Sequence, residues 1–455
     1  MEISILNKVR LTGVPSELMK ELMDSLSFQN PKWIENEKMG RWNKDTSKTL
    51  QYYDITKKGE MFIPRGYLRN VLLLCKKYHI KYKLIDKRRA LPEVNFGFTG
   101  QLRPFQQKAV DTILPKAFGT LGAPTGSGKT IMALYIIAKR SQPALIIVHT
   151  KELALQWVDR IKTFLNIEEQ EIGIIGLGKN VVGKKITVAL VQSLYKRCEQ
   201  VFRKIGFLLV DECHRCPSRI FTEAVTAFDC RYMLGLTATP WRRDQLSQLI
   251  FFYLGYMHHE IGKQALVKTG DVLSVEVIVR TTDFMPYYDP VTAYSKMLAE
   301  LTADDERNRL IASDVAKETE ICEGICLILS DRKKHCENLH TLLKYKHKIS
   351  CEILTGDLKE SQRQEVVEQL NKKEIKALVA TGQLIGEGFD CKELSTLFLA
   401  TPVRFSGRVL QYLGRVLRPA PGKSKARVYD YVDEKVEVLV AGAKARQQVY
   451  AEIKK

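Results

Sequence analysis

The chain has 455 residues, too many for one compact domain, and its 45% hydrophobic content is that of an ordinary folded protein. Its formal charge is +19, from 71 Lys and Arg against 52 Asp and Glu, which favours a polyanionic partner without choosing among DNA, RNA and acidic surfaces. No window is apolar enough to span a bilayer, and the first residues lack the apolar core of a secretory signal. Ten cysteines without framework spacing indicate a reducing compartment. We therefore expect a cytoplasmic protein, associated with the nucleoid if it is prokaryotic or phage-encoded.

Residues 1 to 95 are predicted to be a small α+β accessory domain, with strands at 3–5, 52–55 and 82–85 and helices at 17–26 and 68–78. This segment holds 19 Lys and Arg against 11 Asp and Glu, so it carries +8 of the net charge. Its aromatic residues Trp33, Trp42, Tyr52 and Tyr53 lie among basic residues. Two interpretations stand equally. Either the aromatics stack on unpaired bases while the cations bind phosphates, or the aromatics are core and the lysines a solvated face.

A domain boundary is predicted near residues 92–99, and the hexapeptide QLRPFQ follows it at 101–106. A glutamine ahead of a phosphate-binding loop can read an adenine edge with its amide donor and acceptor. Arg103 and Gln106 are therefore candidate nucleotide-binding residues. The alternative is a helix cap with a packing phenylalanine.

The segment APTGSGKT at 123–130 is a candidate phosphate-binding loop, although Ala123 stands where the general pattern has glycine. Glycines let backbone N–H groups wrap a phosphate, a lysine adds charge at the β/γ-phosphates, and a threonine hydroxyl ligates Mg²⁺. Lys129 would supply the charge and Thr130 the metal contact. The other candidate loop residues are Pro124, Thr125, Gly126, Ser127 and Gly128.

Apolar runs after this loop predict buried parallel strands at 144–148, 186–191, 207–210 and 232–236. The third run ends in Asp211 and Glu212. Asp211 can hold Mg²⁺, largely through water, and Glu212 can orient and deprotonate an attacking water. Two acids that merely cap a strand are the alternative, which the upstream lysine makes less attractive. Cys213 and Cys216 form a lone Cys-x-x-Cys without a second ligand pair, which argues against zinc.

In this order the motifs resemble those of superfamily 2 helicases and translocases, over roughly residues 100–435. LRPFQ, APTGSGKT, DECH and TAT are similar to the motifs of a first motor domain. LTG, VAT with GEGFD, and QYLGRVLR are similar to those of a second. TATPWRRD followed by LSQLIFFYLG most resembles the group of the xeroderma pigmentosum group B helicase, phage UvsW-type helicases and restriction-enzyme motor subunits. The DEAD-box RNA group would have DEAD and SAT instead.

The resemblance implies an α/β fold with two RecA-like parallel-sheet domains, at 96–262 and 286–455, joined by a linker at 263–285. It implies an ATP-dependent DNA helicase or translocase that acts on single-stranded, forked or branched DNA in repair or recombination. ATP and Mg²⁺ would be its cofactors. An ATP-dependent RNA helicase is one alternative. A nucleic-acid-binding scaffold with an inactive motor is another, which the intact Lys129, Asp211, Glu212 and Arg418 disfavour.

Arg415 and Arg418 are spaced i, i+3 and therefore share one face of a predicted helix. Guanidinium groups there would stabilise charge on the transferred phosphoryl group, with ATP between two lobes. The resemblance also implies that His214 links the acids to Gln411. The hydroxyls of Thr237 and Thr239 would relay between the ATP site and a bound strand.

Two further sets of residues are carried over from the family on the matching motifs. The first would complete the nucleotide site and comprises Gly388 and Asp390. The second would contact the sugar-phosphate backbone without reading sequence and comprises Thr150, Lys151, Gln192, Thr355, Gly356 and Thr381.

Overall fold

The computed structural model describes residues 1–454 except 125, 216–218, 239–245, 263–265, 267–272, 323, 387–390, 404–408, 410–411, 415, 418, 421–422 and 424. The chain divides into two compact units. The first comprises Met1–Ala123 and Gly128–Ile261, and the second Gly262–Lys455 with Pro124–Ser127. Among the described residues, every helix is too short or too polar to cross a bilayer.

The N-terminal region is a small α+β layer with its own core. Its elements are β1 Glu2–Ile5, β2 Lys8–Thr12, α1 Ser16–Ser25, β3 Ser27–Gln29, α2 Pro31–Lys38, β4 Thr49–Gln51, β5 Asp54–Ile55, β6 Met61–Pro64, α3 Leu68–Lys77 and β7 Lys83–Asp86. Five strands form a sheet in the order β5-β6-β2-β1-β7, in which only β1 and β7 pair in parallel. Strands β3 and β4 form a separate two-stranded ribbon. Apolar residues at alternate strand positions and on one face of α1 and α3 make the core, as amphipathic patterning predicts.

The rest of the first unit is a parallel α/β layer. Its elements are α4 Pro104–Ile113, β8 Phe118–Gly122, α5 Lys129–Arg140, β9 Ala144–Val148, α6 Lys151–Leu165, β10 Gly173–Gly176, β11 Lys179–Val181, β12 Ile186–Leu190, α7 Val191–Leu194, α8 Cys198–Val201, β13 Phe207–Val210, α9 Arg219–Thr226, β14 Tyr232–Thr237, α10 Gln248–Leu254 and β15 Met257–Glu260. Eight strands have the order β11-β10-β12-β9-β13-β14-β8-β15, and only β10 and β11 are antiparallel.

The central strands of this sheet are apolar along their whole length. Strands β9, β12 and β13 read ALIIV, ITVAL and FLLV, and every residue in them is buried. Continuous apolar strands are typical of a parallel sheet covered on both faces. Because parallel strands end at the same edge, the polar residues that follow β9, β12 and β13 come together there.

The second unit contains another parallel sheet. Its elements are β16 Val275–Thr282, α11 Tyr294–Ala303, α12 Asp305–Ile321, β17 Ile325–Ser330, α13 Lys333–Thr341, β18 Cys351–Leu354, α14 Glu360–Asn371, β19 Ala377–Thr381, α15 Gly382–Gly386, β20 Leu394–Leu399, β21 Ala426–Asp433 and α16 Glu437–Lys454. Six parallel strands have the order β16-β21-β20-β17-β19-β18. The range predicted as a linker, 263–285, thus includes a strand of this sheet. The domain boundaries remain predictions.

A buried ion pair joins the layers of the second unit. Arg307 Nε lies 2.8 Å from Asp433 Oδ1, and both side chains are almost fully buried. The same guanidinium donates to the carbonyl of Ala400, and Thr282 Oγ1 donates to Asp433. These bonds tie α12 to the ends of β16, β20 and β21. Moving α12 away from these strand ends would break the pair and leave a buried charge without a partner, which is strongly unfavourable.

The N-terminal layer shares its core with the first parallel layer. Leu249 and Phe252 of α10 pack within the N-terminal core. Arg65 is 1% exposed and donates to the carbonyl of Cys230 at 2.8 Å. At Gly66 the two layers approach closely, since a Cβ there would lie 2.2 Å from the carbonyl oxygen of Phe251. The N-terminal region is therefore packed directly against the parallel layer rather than tethered to it.

The first prediction concerns this contact. We expect Gly66→Ala to force α10 away from the N-terminal layer and to lower the free energy of unfolding by roughly 1–3 kcal/mol, the range for overpacking. Gly97→Ala is the control, because the nearest atom to its new Cβ would be 3.9 Å away. Thermal melting measured by circular dichroism compares the two variants. Equal melting temperatures would contradict the close approach at Gly66.

Candidate functional site

The phosphate-loop candidate lies between β8 and α5. The backbone N–H of Ala123 donates to the carbonyl of Thr237 at 2.9 Å, which joins the loop to β14. Gly126 and Gly128 have φ of 89° and 80°, in the left-handed region that glycine adopts without strain. Ser127 Oγ donates to the carbonyl of Pro124 at 2.7 Å. The loop ends where the N-terminus of α5 presents its backbone N–H groups, an arrangement suited to binding phosphate.

Lys129 and the two acids predicted from the sequence lie side by side. Lys129 Nζ donates to the carbonyl of Ala123 at 3.2 Å and lies 3.6 Å from Glu212 Oε1. The side chains of Lys129 and Glu212 are 12% and 18% exposed. Asp211 is buried at the end of β13. The α5 terminus and the β13 end thus form one charged cluster, in which Thr130 is the second residue of α5.

The two carboxyl groups have opposite pKa shifts. Burial raises the pKa of Asp211, and the negative charge of Glu212 raises it further, against the opposing effect of Lys129. Burial also acts to raise the pKa of Glu212, but Lys129 and His214 outweigh it and hold that pKa well below its usual range. Glu212 is therefore ionised, and its basicity depends on where Lys129 lies.

Trp157 is a site residue that the sequence did not reveal. It lies on α6, is 2% exposed, and donates from Nε1 to Asp211 Oδ2 at 2.8 Å. The other oxygen, Oδ1, accepts from the backbone N–H of Glu212 at 2.9 Å. In the sequence, Trp157 fits the apolar face of a helix, and its only signal is that a buried indole N–H needs an acceptor. These two bonds fix the Asp211 carboxylate.

His214 lies beside Thr237, a contact that the sequence did not predict; its predicted link to Gln411 stays a prediction. His214 Nδ1 lies 3.3 Å from Thr237 Oγ1 and 3.2 Å from Glu212 Oε2. Glu212 itself has φ of 47°, a conformation that non-glycine residues rarely adopt and that turns the chain sharply after β13. The imidazole therefore connects the acid at the end of β13 with the hydroxyl at the end of β14.

Gln106 closes the start of α4 and also lies against the loop. Its Oε1 accepts from the backbone N–H of Arg103 at 2.9 Å, which is the helix-cap alternative considered for this motif. Its Nε2 lies where a Cβ on Gly128 would come within 2.4 Å. The carbonyl oxygen has a second lone pair, so the cap and an adenine contact are compatible. Adenine recognition by Arg103 and Gln106 remains a prediction.

The predicted strand contacts of the first unit share one edge of the sheet. Thr150 caps α6 by accepting from the backbone N–H of Leu153 at 3.3 Å, and Lys151 is the first residue of that helix. Gln192 follows β12 and donates to the carbonyl of His149 at 3.4 Å. Strands β9 and β12 are neighbours, so these polar groups form one surface.

In the second unit the predicted contacts follow two neighbouring strands. Thr355 and Gly356 come directly after β18, and Thr381 is the last residue of β19. The pairing of Leu354 with Ala380 sets these residues at the same edge. The carbonyl of Gly356 accepts from Arg363 at 3.0 Å.

The remaining predicted site residues lie outside the described part of the chain. They are Thr125, Thr239, Gly388, Asp390, Gln411, Arg415 and Arg418. The arginine-finger hypothesis therefore stays a prediction. Among the described residues, no group of three or more His, Cys, Asp or Glu side chains is arranged to hold a metal ion.

Two family profiles match the chain in the regions of these sites. The family described as type III restriction enzyme, res subunit, matches residues 99–242. The helicase conserved C-terminal domain matches residues 301–420. Together they span more than half of the sequence and cover the phosphate loop, the acid pair and strands β17 to β20 of the second sheet. The chain belongs to the superfamily 2 helicases. Its predicted family and its activity as an ATP-hydrolysing helicase are thereby confirmed.

The names of this helicase's relatives mention DNA in some cases and RNA in others. A mimivirus protein, provisionally named an ATP-dependent RNA helicase, is 28% identical over 378 residues, which are 79% of this chain and 69% of that protein. The DNA 3'-5' translocase XPB2 of Sulfurisphaera tokodaii is 28% identical over 353 residues, or 70% of this chain and 79% of that protein. Both names describe a protein that acts on nucleic acid.

Solved structures confirm the predicted fold class. The type ISP restriction-modification enzyme LlaBIII, bound to DNA, has a TM-score of 0.58 at 14% identity, covering 78% of this helicase and 30% of that chain. Dbp5 of S. cerevisiae, bound to RNA, has a TM-score of 0.55 at 14% identity, covering 78% of this helicase and 89% of that chain. At these identities the likeness concerns the fold alone.

The second prediction concerns Trp157. The indole hydrogen bond lowers the pKa of Asp211, so its loss in Trp157→Phe leaves that pKa higher. We expect the acidic limb of the ATPase pH profile to move to higher pH. The Mg²⁺ concentration for half-maximal activity should rise about tenfold, as for losing a hydrogen bond to a charged group. Mg²⁺ titrations at several pH values measure both effects.

Trp33→Phe is the control, because Trp33 lies on α2 under Lys48 and away from the acids. An unchanged Mg²⁺ requirement in Trp157→Phe would mean that the indole serves only packing.

Proposed function

We propose that this helicase couples ATP hydrolysis to movement along DNA and remodels forked or branched DNA in repair or recombination. The single observation that carries the proposal is the Lys129–Glu212–Asp211 cluster at the phosphate loop. The DECH and TAT motifs and the XPB2 relative favour DNA. An ATP-dependent RNA helicase is the second candidate, because the mimivirus relative bears that name.

Lys129 would act as a switch on the base. Next to Glu212 it keeps that carboxylate a weak base, since its positive charge helps hold the pKa well below the usual range. The oxygens of a bound triphosphate would compete for the same ammonium. As Lys129 turns to them, the pKa of Glu212 rises and the carboxylate becomes able to accept a proton from the attacking water. Phosphate binding would thereby prepare the base.

The described residues also fit a magnesium ion. Bound Mg²⁺ would neutralise charge on the phosphate oxygens. Thr130 would contact it through its hydroxyl, and Asp211 would hold it through water. Asp211 is suited to this role because Trp157 and the N–H of Glu212 fix its carboxylate while leaving further lone pairs on both oxygens.

Strand binding is proposed for the two sheet edges described above. Thr150, Lys151 and Gln192 would hold phosphates from the first unit, and Thr355, Gly356 and Thr381 from the second. Hydroxyl, amide and backbone groups bind the sugar-phosphate chain without regard to sequence. His214 and Thr237 would relay the state of the ATP site, because they connect Glu212 with the end of β14.

Exposure separates the aromatic residues of the N-terminal region. Tyr52 is half-buried and stacks on Phe28 with ring centroids 5.3 Å apart, so it belongs to the core. Lys48 lies over the ring of Trp33 at 5.1 Å. Trp42 is 87% exposed. Of the two open interpretations, a place in the core fits Tyr52, and stacking on an unpaired base fits Trp42.

The loop that carries Trp42 is held by hydrogen bonds while the indole remains in solvent. Asn36 donates to the side chain of Asn43 at 2.9 Å, and Asn43 donates to the carbonyl of Trp33 at 3.1 Å. The N–H of Arg41 donates to the carbonyl of Asn36 at 2.8 Å. Exposed cations flank the indole at positions 38, 41 and 44. We propose that Trp42 stacks on an unpaired base while these cations bind the adjacent phosphates.

The third prediction tests the motor and its substrate. We expect ATP turnover to be stimulated most by forked DNA, because a fork offers a single strand to the sheet edges, unpaired bases to Trp42 and a duplex arm to the basic N-terminal region. Steady-state ATPase is measured with forked DNA, four-way DNA, single-stranded DNA, blunt duplex DNA and RNA of equal length. Glu212→Gln is the control, since it should bind ATP and hydrolyse it poorly.

Stronger stimulation by RNA than by any DNA would replace the proposal with the RNA helicase. Turnover that no nucleic acid stimulates would remove the motor function.

The fourth prediction concerns Trp42. We expect Trp42→Ala to weaken binding to forked DNA by roughly tenfold, within the range of ~1–3 kcal/mol for one stacked base. The slope of log K against log salt should not change, because no charge is removed. Fluorescence anisotropy across a salt series measures both, and Trp42→Phe should restore most of the affinity.

Tyr287→Ala is the matched control, since Tyr287 is 89% exposed in the second unit. Wild-type affinity in Trp42→Ala, or an equal loss in Tyr287→Ala, would refute a specific stacking contact.

A further inference from the structure

A groove of about 500 Å³ runs along the outer face of α3. We call it the α3 groove. Its apolar floor consists of Leu72, Leu73, Ile80 and Tyr82. Leu73 is 53% exposed and Tyr82 is 43% exposed. Leu72 and Leu73 share a face of α3 with Arg69 and Lys76, at the i, i+3, i+4, i+7 spacing of a helical stripe. Leu72 also packs against the N-terminal core, whereas Leu73 extends the apolar surface of α3 into solvent.

The backbone of the turn after α3 fixes the shape of the α3 groove. The turn after α3 is closed by three hydrogen bonds, among them Ile80 N–H to the carbonyl of Cys75 at 2.8 Å and His79 N–H to the carbonyl of Lys76 at 3.3 Å. His79 has φ of 53°, which reverses the chain so that Ile80 and Tyr82 face back along the helix. A site formed before its ligand arrives avoids much of the ordering cost of binding.

Basic residues form the rim of the α3 groove. Arg69, Lys76 and His79 line the groove. The stretch 76–89 contains seven Lys and Arg, of which Lys77, Arg88 and Arg89 form ion pairs with Glu21, Asp86 and Asp229. Arg69 is also held in place, because its guanidinium stacks 4.1 Å from the ring centroid of Tyr256. The groove thus combines an apolar floor with a cationic rim.

We propose that the α3 groove docks an acidic protein segment that carries an apolar or aromatic side chain. An apolar side chain placed on Leu72, Leu73 and Ile80 gains from burial, at about 25 cal/mol per Å² of apolar surface. Aspartates and glutamates beside it meet the cationic rim. A phosphate backbone would use the rim but gain nothing from the exposed Leu73, so a protein ligand fits both features better than a nucleic acid. The proposal concerns none of the ATP-site residues and goes beyond the motor function.

The test uses the full chain and a labelled peptide. The probe is a fluorescein-labelled, aspartate-rich peptide ending in Leu-Phe, and its matched partner has the same charges but ends in Ser-Gly. We expect fluorescence anisotropy to show that the Leu-Phe peptide binds at least tenfold more tightly, a difference of ~1.4 kcal/mol. Equal binding of both peptides would overturn the proposal, because the apolar floor would then contribute nothing.

Two substitutions separate the floor from the rim. Leu73→Glu should weaken binding of the Leu-Phe peptide at least tenfold, and its control is Leu155→Glu on α6, since both leucines are 53% exposed. Lys76→Glu should weaken it too, whereas Lys20→Glu on the exposed face of α1 should not. Unchanged melting temperature and basal ATPase in these variants would show that the fold is intact.

One outcome would assign the groove to another ligand class. If duplex DNA displaces the peptide, and Lys76→Glu loses binding while Leu73→Glu keeps it, the surface is a nucleic-acid contact and the proposal is wrong. Loss of peptide binding in Leu73→Glu with unchanged basal ATPase and melting temperature would support it. Neither result depends on which nucleic acid the motor uses.

Discussion

The candidate site depends on one ammonium group beside two adjacent carboxylates. Asp211 and Glu212 are taken largely out of water at the end of β13, where two negative charges repel each other and neither is well solvated. Lys129 at the start of α5 offsets that charge, and Trp157 and His214 supply further donors. The cost of burying this cluster is compensated only while all of these elements keep their places. Ligand phosphates that compete for Lys129 would therefore act on the strand end, the helix start and the imidazole together.

Parallel strands explain why so much of this site could be predicted from the sequence. Strands β9 and β13 begin and end where their apolar runs do, and β12 differs by one residue at its end. A strand buried on both faces has to be apolar throughout, so its limits are visible without a partner. The same topology gathers Thr150, Gln192 and Asp211 at one edge. The chemistry of the site thus follows from local sequence together with one rule of sheet construction.

The features that escaped prediction depend on pairing between distant segments. The indole of Trp157 fits an apolar helix face equally well with or without Asp211 as its acceptor, because 54 residues separate them. Strand β16 lies in a stretch that resembles a connection, and it is a strand because β21 pairs with it along its whole length. Composition alone could not distinguish Tyr52 from Trp42, since both lie among lysines. Their difference arises when Phe28 and α10 cover one and leave the other in solvent.

The N-terminal region shares its core with the parallel layer that carries the candidate site. Arg65 and Gly66 attach it to Cys230 and to α10, and α10 follows the segment that continues from β14 and its residue Thr237. Nucleic acid held at Trp42, or a protein segment held in the α3 groove, would be bound to a layer packed on this sheet and not to one on a flexible linker. A displacement of α10 would disturb the N-terminal core, because Leu249 and Phe252 pack within it. The packing at Gly66 therefore makes the accessory layer part of the structure that carries the ATP site.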